Sequence, residues 1–574
     1  MRVLGIHDGH NAAAALVVDG RVVAAAQEER FRREKNWSGL PTHAIAWVLR
    51  YANMNVGDLD AVAMNGYHMP YPKDRQALLE EYRTTGTLPM RVRRIARNSP
   101  LRAAHRARRR RERLGEVVAL GVPADRVQFV EHHTAHAAAA YYGFGRYNEP
   151  VLVLTNDGSG DGLCASVRVG RGGTLEAPVA TIPEGDSIGN LYAVVTFMMG
   201  MVPLEHEYKL MGMAPYAPDG GRDAVLAELR RLMHFTPPDA MRWGRARGVP
   251  ETYYSYEFLR RHLERKRFDW ICAGLQAWSE EMLAQWAGNC IRATGVRTLA
   301  LSGGVFMNVK ANKVISELPE VADLFVFPSC GDETNAIGAA YWVEARGGSA
   351  GSHIPALEDV YWGPSHDDAE IARALAARRG PWTSARVPDI DDAVAELLAR
   401  GEVVARYAGR AEFGARALGN RSILADSSRT DVVRVINDMI KSRDFWMPFA
   451  PAILAERAGD YFVNPKNLPA PYMILSFDTT GAVGDLRAAV HPYDLTARPM
   501  VVDEAWNPGF HRLLREFERL TGRGAILNTS FNLHGLPIVH TPSDALDVLE
   551  RSGLKYLALG DWLVTKDTPG SDAR

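Results

Sequence analysis

The chain has 574 residues, of which 47% are hydrophobic, so its apolar content exceeds one ordinary core and we expect two or more domains. Its 67 Lys and Arg residues balance 68 Asp and Glu residues, and this neutrality does not favour nucleic acid or an anionic membrane as partner. The four cysteines lack CxxC spacing, and the longest nearly apolar run, residues 191–204, is too short to cross a bilayer. We therefore expect a soluble, cytoplasmic protein.

Two segments of the N-terminal half begin with the same pattern. Residues 2–28 predict a strand, a polar turn and a hairpin closed at Asp19-Gly20, and residues 151–182 repeat this order. The repeat predicts a duplicated α/β unit of the actin/hexokinase-like kind, although strand-turn-strand openings also occur in other α/β proteins. A glycine-rich stretch near residues 346–365 indicates a boundary, which gives domains 1–356 and 357–574, the second with its own α/β fold.

Residues 91–113 are rich in arginine and include the run Arg108–Arg111. Such runs can bind nucleic acid, but no aromatic residues are interleaved here. We therefore predict an exposed helix that is solvated or faces a substrate. Further along, the amphipathic pattern of residues 269–294 predicts a long helix that ends near Gly295.

His132 and His136 lie four residues apart in an alanine-rich segment that favours a helix. On one helix face both imidazoles can reach the same ion, although a helical histidine pair can equally be structural. Carboxylates that follow strands could complete the ligand set, and Asp157 and Asp332 are two such residues that spacing alone does not select. Two His and two Asp would accept iron, manganese or zinc.

A glycine pair follows the buried strand near residues 299–301. In Ser302-Gly303-Gly304, and on to Asn308, backbone N–H groups could approach a phosphate or a sugar closely. No GK[ST] follows, so this is not a Walker A motif. An ordinary strand-to-helix turn is the alternative.

The C-terminal region concentrates arginines and amides. Arg410, Arg416 and Arg421 lie among glycines, and Lys441, Arg443 and Arg498 follow before the polar strand end that includes Asn528 and Ser530. Arginine forks suit phosphate oxygens, while Asn and Ser suit an amide-like group. Surface salt bridges are the alternative interpretation.

Several uncommon blocks occur together along nearly the whole chain. They are residues 27–31, 131–136, 207–216, 302–308, 331–333, 409–424, 448–451 and 527–532. In these blocks the chain resembles the antibiotic and nodulation-factor O-carbamoyltransferases. The resemblance implies an actin-like (ASKHA) N-terminal domain and a C-terminal α/β domain similar to threonylcarbamoyl-adenylate synthases.

The resemblance also implies a reaction in two halves. The C-terminal pocket would make carbamoyl-adenylate from carbamoyl phosphate and ATP, with Mg²⁺ accompanying the ATP. The residues implied to hold these substrates are Arg416, Lys441, Arg443, Arg498, Asn528 and Ser530. Among them, Arg416 and Lys441 would be catalytic.

The N-terminal site would then pass the carbamoyl group to a hydroxyl of a small-molecule secondary metabolite. By the same resemblance, His132, His136, Asp157 and Asp332 would hold a divalent metal, iron(II) by analogy, and His10 would be the general base. The residues implied to contact the nucleotide or acceptor there are Ser302, Gly303, Gly304, Asn308, Lys35 and Lys209. Self-association into a homo-oligomer is left open.

The chain departs from the family pattern at three positions. Asn11 replaces an Asp, Met447 replaces a basic residue, and Leu536 replaces a Glu. An actin-like ATPase or small-molecule kinase is an alternative function, although it gives no use to the C-terminal arginines and amides. A tRNA-modifying protein that uses the arginine-rich helix is a further alternative.

Overall fold

The computed structural model describes residues 1–85, 100–348, 350–441 and 444–567. The chain forms two compact units, an N-terminal unit (Met1–Glu29 and Asn36–Leu357) and a C-terminal unit (Arg30–Lys35 and Glu358–Arg574). The predicted division at 356/357 did not anticipate that the short segment Arg30–Lys35 belongs to the C-terminal unit. Among the described helices, none combines the length and apolarity needed to cross a membrane.

The first sheet of the N-terminal unit has the strand order β3-β2-β1-β4-β5. Its first three strands run antiparallel, and β4 and β5 are parallel to β1. The predicted hairpin between the second and third strands turns at Asp19 and Gly20, which both have positive φ. The strands are β1 (Arg2–His7), β2 (Ala13–Val18), β3 (Arg21–Gln27), β4 (Ala61–Asn65) and β5 (Val127–Val130).

The second sheet repeats this arrangement. In β13-β12-β6-β7-β8, with β9 also on β7, the strands β6, β7 and β9 run antiparallel and β12 and β13 are parallel to β6. The strands of this sheet are β6 (Val151–Gly160), β7 (Leu163–Arg171), β8 (Thr174–Leu175), β9 (Ala180–Pro183), β12 (Thr298–Ser302) and β13 (Asp323–Val326), while β10 (Met233–Phe235) and β11 (Trp243–Arg245) form a separate two-stranded sheet. Because order and directions match the first sheet, the predicted duplicated, actin-like fold class is confirmed.

Helices of small residues lie against both sheets. A Cβ at Gly5 in β1 would overlap the carbonyl oxygen of Ala336, and a Cβ at Gly338 would overlap that of Ala135. The helices in this close contact are α5 (His132–Phe144) and α12 (Asn335–Arg346). The other helices up to residue 346 are α1 (Glu28–Arg32), whose last three residues belong to the C-terminal unit, α2 (Thr42–Tyr51), α3 (Arg75–Thr84), α4 (Pro100–Val118), α6 (Ile188–Met198), α7 (Glu207–Met213), α8 (Asp219–Arg230), α9 (Tyr256–Leu263), α10 (Phe268–Thr294) and α11 (Val309–Glu317). The helix predicted at 269–294 is α10, which ends at left-handed Gly295 as predicted.

The C-terminal unit contains one mixed sheet of eight strands, in the order β14-β21-β20-β15-β16-β19-β17-β18. The strands are β14 (Trp382–Arg386), β15 (Val404–Tyr407), β16 (Arg421–Ala425), β17 (Ala450–Leu454), β18 (Met500–Val502), β19 (Ala525–Ser530), β20 (Tyr556–Leu559) and β21 (Trp562–Lys566). The helices are α13 (Asp368–Ala377), α14 (Ile390–Ala399), α15 (Asp431–Ile436), α16 (Ala458–Tyr461), α17 (Pro508–Thr521) and α18 (Pro542–Arg551). This unit is therefore α/β as predicted, and its closer likeness to an adenylate synthase stays a prediction.

The arginine-rich helix α4 has a buried face, which corrects the prediction of a solvated helix. Arg113 is fully buried, and its guanidinium binds both carboxylate oxygens of Asp8 at 2.7 Å. It also donates to the carbonyl oxygens of Asn65 and Gly66 at 2.6 Å. A buried guanidinium is stable when its charge and its donors are all matched in this way. Residues 91–99 of the predicted segment lie outside the described residues.

We expect Arg113→Ala to lower the free energy of unfolding by about 3–5 kcal/mol, because the carboxylate of Asp8 would stay buried without its partner. Urea unfolding followed by tryptophan fluorescence measures this change. Arg108→Ala is the control, since Arg108 lies on the exposed face of the same helix. Equal stability of the two variants would contradict the structural role of Arg113.

Candidate active site

The four predicted metal ligands lie together in the N-terminal unit. One ligand atom from each of His132, His136, Asp157 and Asp332 lies within 4.8 Å of the others. Nε2 of His132 is 3.3 Å from Asp157 Oδ2 and 3.5 Å from Asp332 Oδ1, and Nε2 of His136 is 3.4 Å from that same oxygen. This compact group of two imidazoles and two carboxylates has the composition of a divalent-metal site.

Local structure explains why these side chains converge. Helix α5 begins at His132 because the Glu131 carboxylate caps it, accepting the N–H groups of His133 and Thr134. His132 and His136 are then one turn apart on the same face. Asp157 lies on β6, and Asp332 lies in the short turn that precedes α12.

Neighbouring polar groups orient the ligands. The Ser302 hydroxyl lies 3.2 Å from Nδ1 of His136, and the Asn65 amide lies 3.4 Å from Nδ1 of His132. The N–H of Gly304 donates to Asp157 Oδ1 at 3.0 Å. Contacts of this kind fix the ring orientation and strengthen ligation in metal sites.

The glycine pair therefore packs against the candidate metal site. Gly303 has a φ of 109°, and a Cβ there would overlap the backbone of Asn156, so only glycine fits. The Asn308 side chain caps α11 and forms two hydrogen bonds with the Gln276 amide, so its polar atoms stabilise the loop. Nucleotide binding by residues 302–304 and Asn308 stays a prediction.

The charges of the cluster favour a cation. Burial lowers the pKa of His132, but the facing carboxylates of Asp332 and Asp157 outweigh this effect and raise it to about 10. Burial likewise opposes ionisation of Asp332 and Asp157, but the imidazoles hold both carboxyl pKa values below their usual range. Asp332 Oδ1 is buried, accepts no hydrogen bond from the described residues, and faces two imidazole nitrogens. These donors fit a divalent metal.

His7 is a further residue of this cluster that the sequence analysis missed. It is fully buried at the end of β1, with Nε2 3.9 Å from Asp332 Oδ2 and Nδ1 2.9 Å from the Asn65 amide. Burial lowers its pKa, which favours a neutral imidazole. The signal was present, because His7 and His10 occupy the same polar turn, but sequence does not show which ring points inward.

The predicted general base, His10, lies next to this cluster in the chain. Its backbone carbonyl oxygen is 2.9 Å from Nε2 of His7, and its own Nε2 is buried with no hydrogen-bond partner in the described part of the chain. Lys209 lies on α7, within the N-terminal unit as predicted. Lys35 belongs to the C-terminal unit, and its predicted contact with the nucleotide or acceptor stays a prediction.

In the C-terminal unit, Asn528 connects the predicted pocket residues. Its amide donates to the carbonyl oxygen of Ala417 at 3.1 Å and lies 3.6 Å from the Met500 sulfur. Ala417 directly follows Arg416, and Met500 is two residues beyond Arg498. The chain segments that carry Arg416 and Arg498 therefore both contact Asn528. The Oδ1 atom of Asn528 is buried, and no donor from the described ranges reaches it.

The other predicted pocket residues have different outcomes. The Ser530 hydroxyl follows Asn528 on β19 and bonds to the side-chain oxygen of Asn532 at 2.7 Å. Lys441 ends a π-helical turn, Asn437–Lys441, and its side chain lies outside the description, as does the whole of Arg443. Their roles stay predictions.

Two arginines of the glycine-rich loop bind backbone, which corrects the view that all three suit phosphate. Arg421 is fully buried, stacks 3.6 Å above the Tyr407 ring and donates to carbonyl oxygens that include that of Ala408. Arg410 donates to the carbonyl oxygens of Trp362 and Gly363. Arg416 lies in the same loop, and its contact with an anion stays a prediction.

Comparison with known proteins gives the family. Family profiles described as Carbamoyltransferase N-terminus and Carbamoyltransferase C-terminus match residues 2–341 and 395–566. The chain belongs to the carbamoyltransferase family. It is therefore a carbamoyl-transferring enzyme, and the predicted resemblance is confirmed.

Relatives of this carbamoyltransferase match over most of its length. Nodulation protein NolNO of Sinorhizobium fredii is 32% identical, with 97% of this chain and 79% of that protein covered. An uncharacterized protein of Synechocystis is 33% identical, with 97% and 95% covered. Among solved structures, the (R)-2-hydroxyglutaryl-CoA dehydratase component A of Acidaminococcus fermentans is 15% identical over 60% of this chain and 100% of its own, with a TM-score of 0.34.

We expect His136→Gln to weaken metal binding by more than the roughly 10- to 100-fold typical of changes to residues that only orient ligands. Inductively coupled plasma mass spectrometry of the purified protein measures its metal content. His133→Gln is the matched control, because His133 is equally buried on α5 but contacts Thr155. Normal metal content in His136→Gln would show that this histidine is not a ligand.

Proposed function

We propose that this carbamoyltransferase makes carbamoyl-adenylate in its C-terminal unit and transfers the carbamoyl group to a small-molecule hydroxyl in its N-terminal unit. The observation that carries the proposal is the presence of two chemically different polar centres, one in each unit. The first gathers imidazoles and carboxylates suited to a cation. The second offers a buried amide beside an arginine loop, which suits a carbamoyl group and phosphates.

The first half-reaction would activate the carbamoyl group. Water releases phosphate from carbamoyl phosphate, and the resulting carbamate oxygen attacks the α-phosphorus of ATP, which expels pyrophosphate and leaves carbamoyl-adenylate. The buried Oδ1 of Asn528 would accept an N–H of the carbamoyl group, while Arg416 and Arg498 would offset the charge of the phosphates. Ser530 would add a polar contact, and Lys441 and Arg443 would complete the anion site, with Mg²⁺ bound to ATP.

The second half-reaction would use the N-terminal centre. A divalent metal held by His132, His136, Asp157 and Asp332, iron(II) by analogy with the family, would supply Lewis-acid polarisation of the carbamoyl oxygen. His10, whose buried Nε2 has no partner within the described chain, would take the proton from the acceptor hydroxyl as its oxygen attacks the carbamoyl carbon and AMP leaves. The acceptor we propose is a hydroxyl of a secondary metabolite.

The alternative of an actin-like ATPase or small-molecule kinase without carbamoyl transfer loses support, because family profiles of carbamoyltransferases match both units. Turnover of ATP by such an enzyme would not need carbamoyl phosphate. The tRNA-modifying alternative loses support, because Arg109 and Arg113 of helix α4 are buried and unavailable to a polyanion.

We expect ATP–pyrophosphate exchange by the wild-type protein only when carbamoyl phosphate is present. Arg416→Ala should reduce the exchange rate by roughly 100- to 1,000-fold, the cost of removing one preorganised charge-stabilising donor. Incorporation of labelled pyrophosphate into ATP measures the rate, and exposed Arg400→Ala is the matched control. Exchange that is absent, or indifferent to carbamoyl phosphate, would contradict the proposed first half-reaction.

We expect a single substitution in the N-terminal unit to affect the second half-reaction without affecting the first. His136→Gln is expected to keep full ATP–pyrophosphate exchange while it loses metal, because its side chain lies in the N-terminal centre. The same exchange assay, run beside the metal measurement, checks this. Parallel loss of both properties would place the metal in adenylate formation instead.

A further inference from the structure

Six residues from near the N-terminus, Arg30–Lys35, form part of the C-terminal unit. We propose that Arg30 is a positioning residue that holds the loop bearing Arg416 in its active conformation. The structural part of this inference stands alone, and its consequence for catalysis rests on the proposed function.

Arg30 binds the loop through both ends of its guanidinium. The side chain is 4% exposed, and Nη1 donates to the carbonyl oxygen of Glu412 at 2.6 Å, while Nη2 donates to that of Gly414 at 2.7 Å. A planar fork is suited to two acceptors at a fixed spacing. The two carbonyls are four and two residues before Arg416.

Glu412 closes the other side of the same turn. Its carboxylate accepts the N–H of Leu418 at 2.6 Å and that of Arg421 at 3.2 Å. The backbone on both sides of Arg416 is therefore held. Arg30 binds the part before Arg416, and the Glu412 carboxylate connects that part to the backbone after it. The turn contains left-handed glycines at 414 and 419, so it has no regular helix or strand hydrogen bonds to stabilise it by itself.

The rest of the segment binds the chain that follows β19. The Phe31 ring lies 4.2 Å from the ring of His540, centroid to centroid. Arg33 donates to the carbonyl oxygens of Pro537 and Ile538 at 3.3 Å and lies 3.4 Å from the Asp544 carboxylate. The segment Arg30–Lys35 thus connects the Arg416 loop to the chain beyond Asn528. A displacement of this segment would move both the Arg416 loop and the chain beyond Asn528.

A small displacement of a positioning contact is enough to slow a reaction strongly. A misplacement of about 1 Å can cost about 100-fold in rate even when it originates away from the reacting atoms. We therefore expect Arg30→Ala to reduce ATP–pyrophosphate exchange about 10- to 100-fold. Arg30→Lys should be affected less, because it keeps the charge but replaces the fork by a single ammonium.

Hydrogen–deuterium exchange of the full-length protein tests the structural part without any assay of function. In Arg30→Ala, peptides that cover residues 412–421 should exchange faster, while those that cover α5 in the N-terminal unit should not change. Arg32→Ala is the matched control, since Arg32 is exposed in the same segment. Should Arg30→Ala fail to fold, Arg30→Lys is measured in its place. Unchanged exchange over residues 412–421 would overturn the proposal.

A double-mutant cycle tests the consequence for catalysis. If Arg30 acts through Arg416, Arg30→Ala should have no further effect on ATP–pyrophosphate exchange in the Arg416→Ala background. Independent, multiplicative effects of the two changes would contradict positioning and indicate general destabilisation. Absence of exchange in the wild type would instead refute the proposed function, and hydrogen–deuterium exchange would still decide the role of Arg30.

Discussion

The close approach of helix α12 to β1 and to α5 is the constraint on which the candidate metal centre depends. Gly5 and Gly338 allow this approach, because any side chain at either position would collide with a backbone carbonyl. Each packed element carries part of the centre at its end. His7 ends β1, His132 and His136 occupy the first turns of α5, and Asp332 immediately precedes α12. The spacing between these elements therefore sets the spacing between the ligands.

The two units enclose groups of opposite charge, carboxylates in the N-terminal unit and arginines in the C-terminal unit. In the N-terminal unit, carboxylates and imidazoles are buried together, and a bound cation would balance the charge that Asp157 and Asp332 retain. In the C-terminal unit, Arg410 and Arg421 of the glycine-rich loop donate hydrogen bonds to backbone carbonyls, so their positive charges are held by dipoles rather than by carboxylates. Groups of opposite charge are thus concentrated at different places in a chain whose overall charge is nearly neutral.

Features with a local physical signature could be predicted from the sequence. Residues 2–28 and 151–182 revealed the duplication because hairpin turns have strong residue preferences. The helical spacing of His132 and His136 put both rings on one face, whereas Asp157 and Asp332 lie on distant segments and were suggested only by family resemblance. Burial of side chains that pair across long distances in the sequence could not be predicted. The pairing of Arg113 with Asp8, 105 residues away, gave no local signal.

The same limit explains the misread arginines. A guanidinium that braces backbone carbonyls and one that awaits a phosphate look identical in sequence, since both favour glycine-rich surroundings. Only its hydrogen-bond partners show that Arg421 belongs to the first kind, since it donates to carbonyl oxygens. For the same reason the sequence did not show that the segment with Lys35 belongs to the C-terminal unit, because position in the chain says nothing about where a segment packs.

The segment Arg30–Lys35 also imposes an order on biosynthesis. Arg30 is translated 382 residues before Glu412, whose carbonyl it binds. The N-terminal unit therefore emerges from the ribosome almost complete. Its short stretch Arg30–Lys35 must wait without its C-terminal partners until the last third of the chain has been synthesised. Such a long-range closure is slow compared with local folding, so the C-terminal unit reaches its final form only after synthesis of both its sequence-distant parts. A nascent or truncated chain would consequently contain the candidate metal ligands without a finished C-terminal unit.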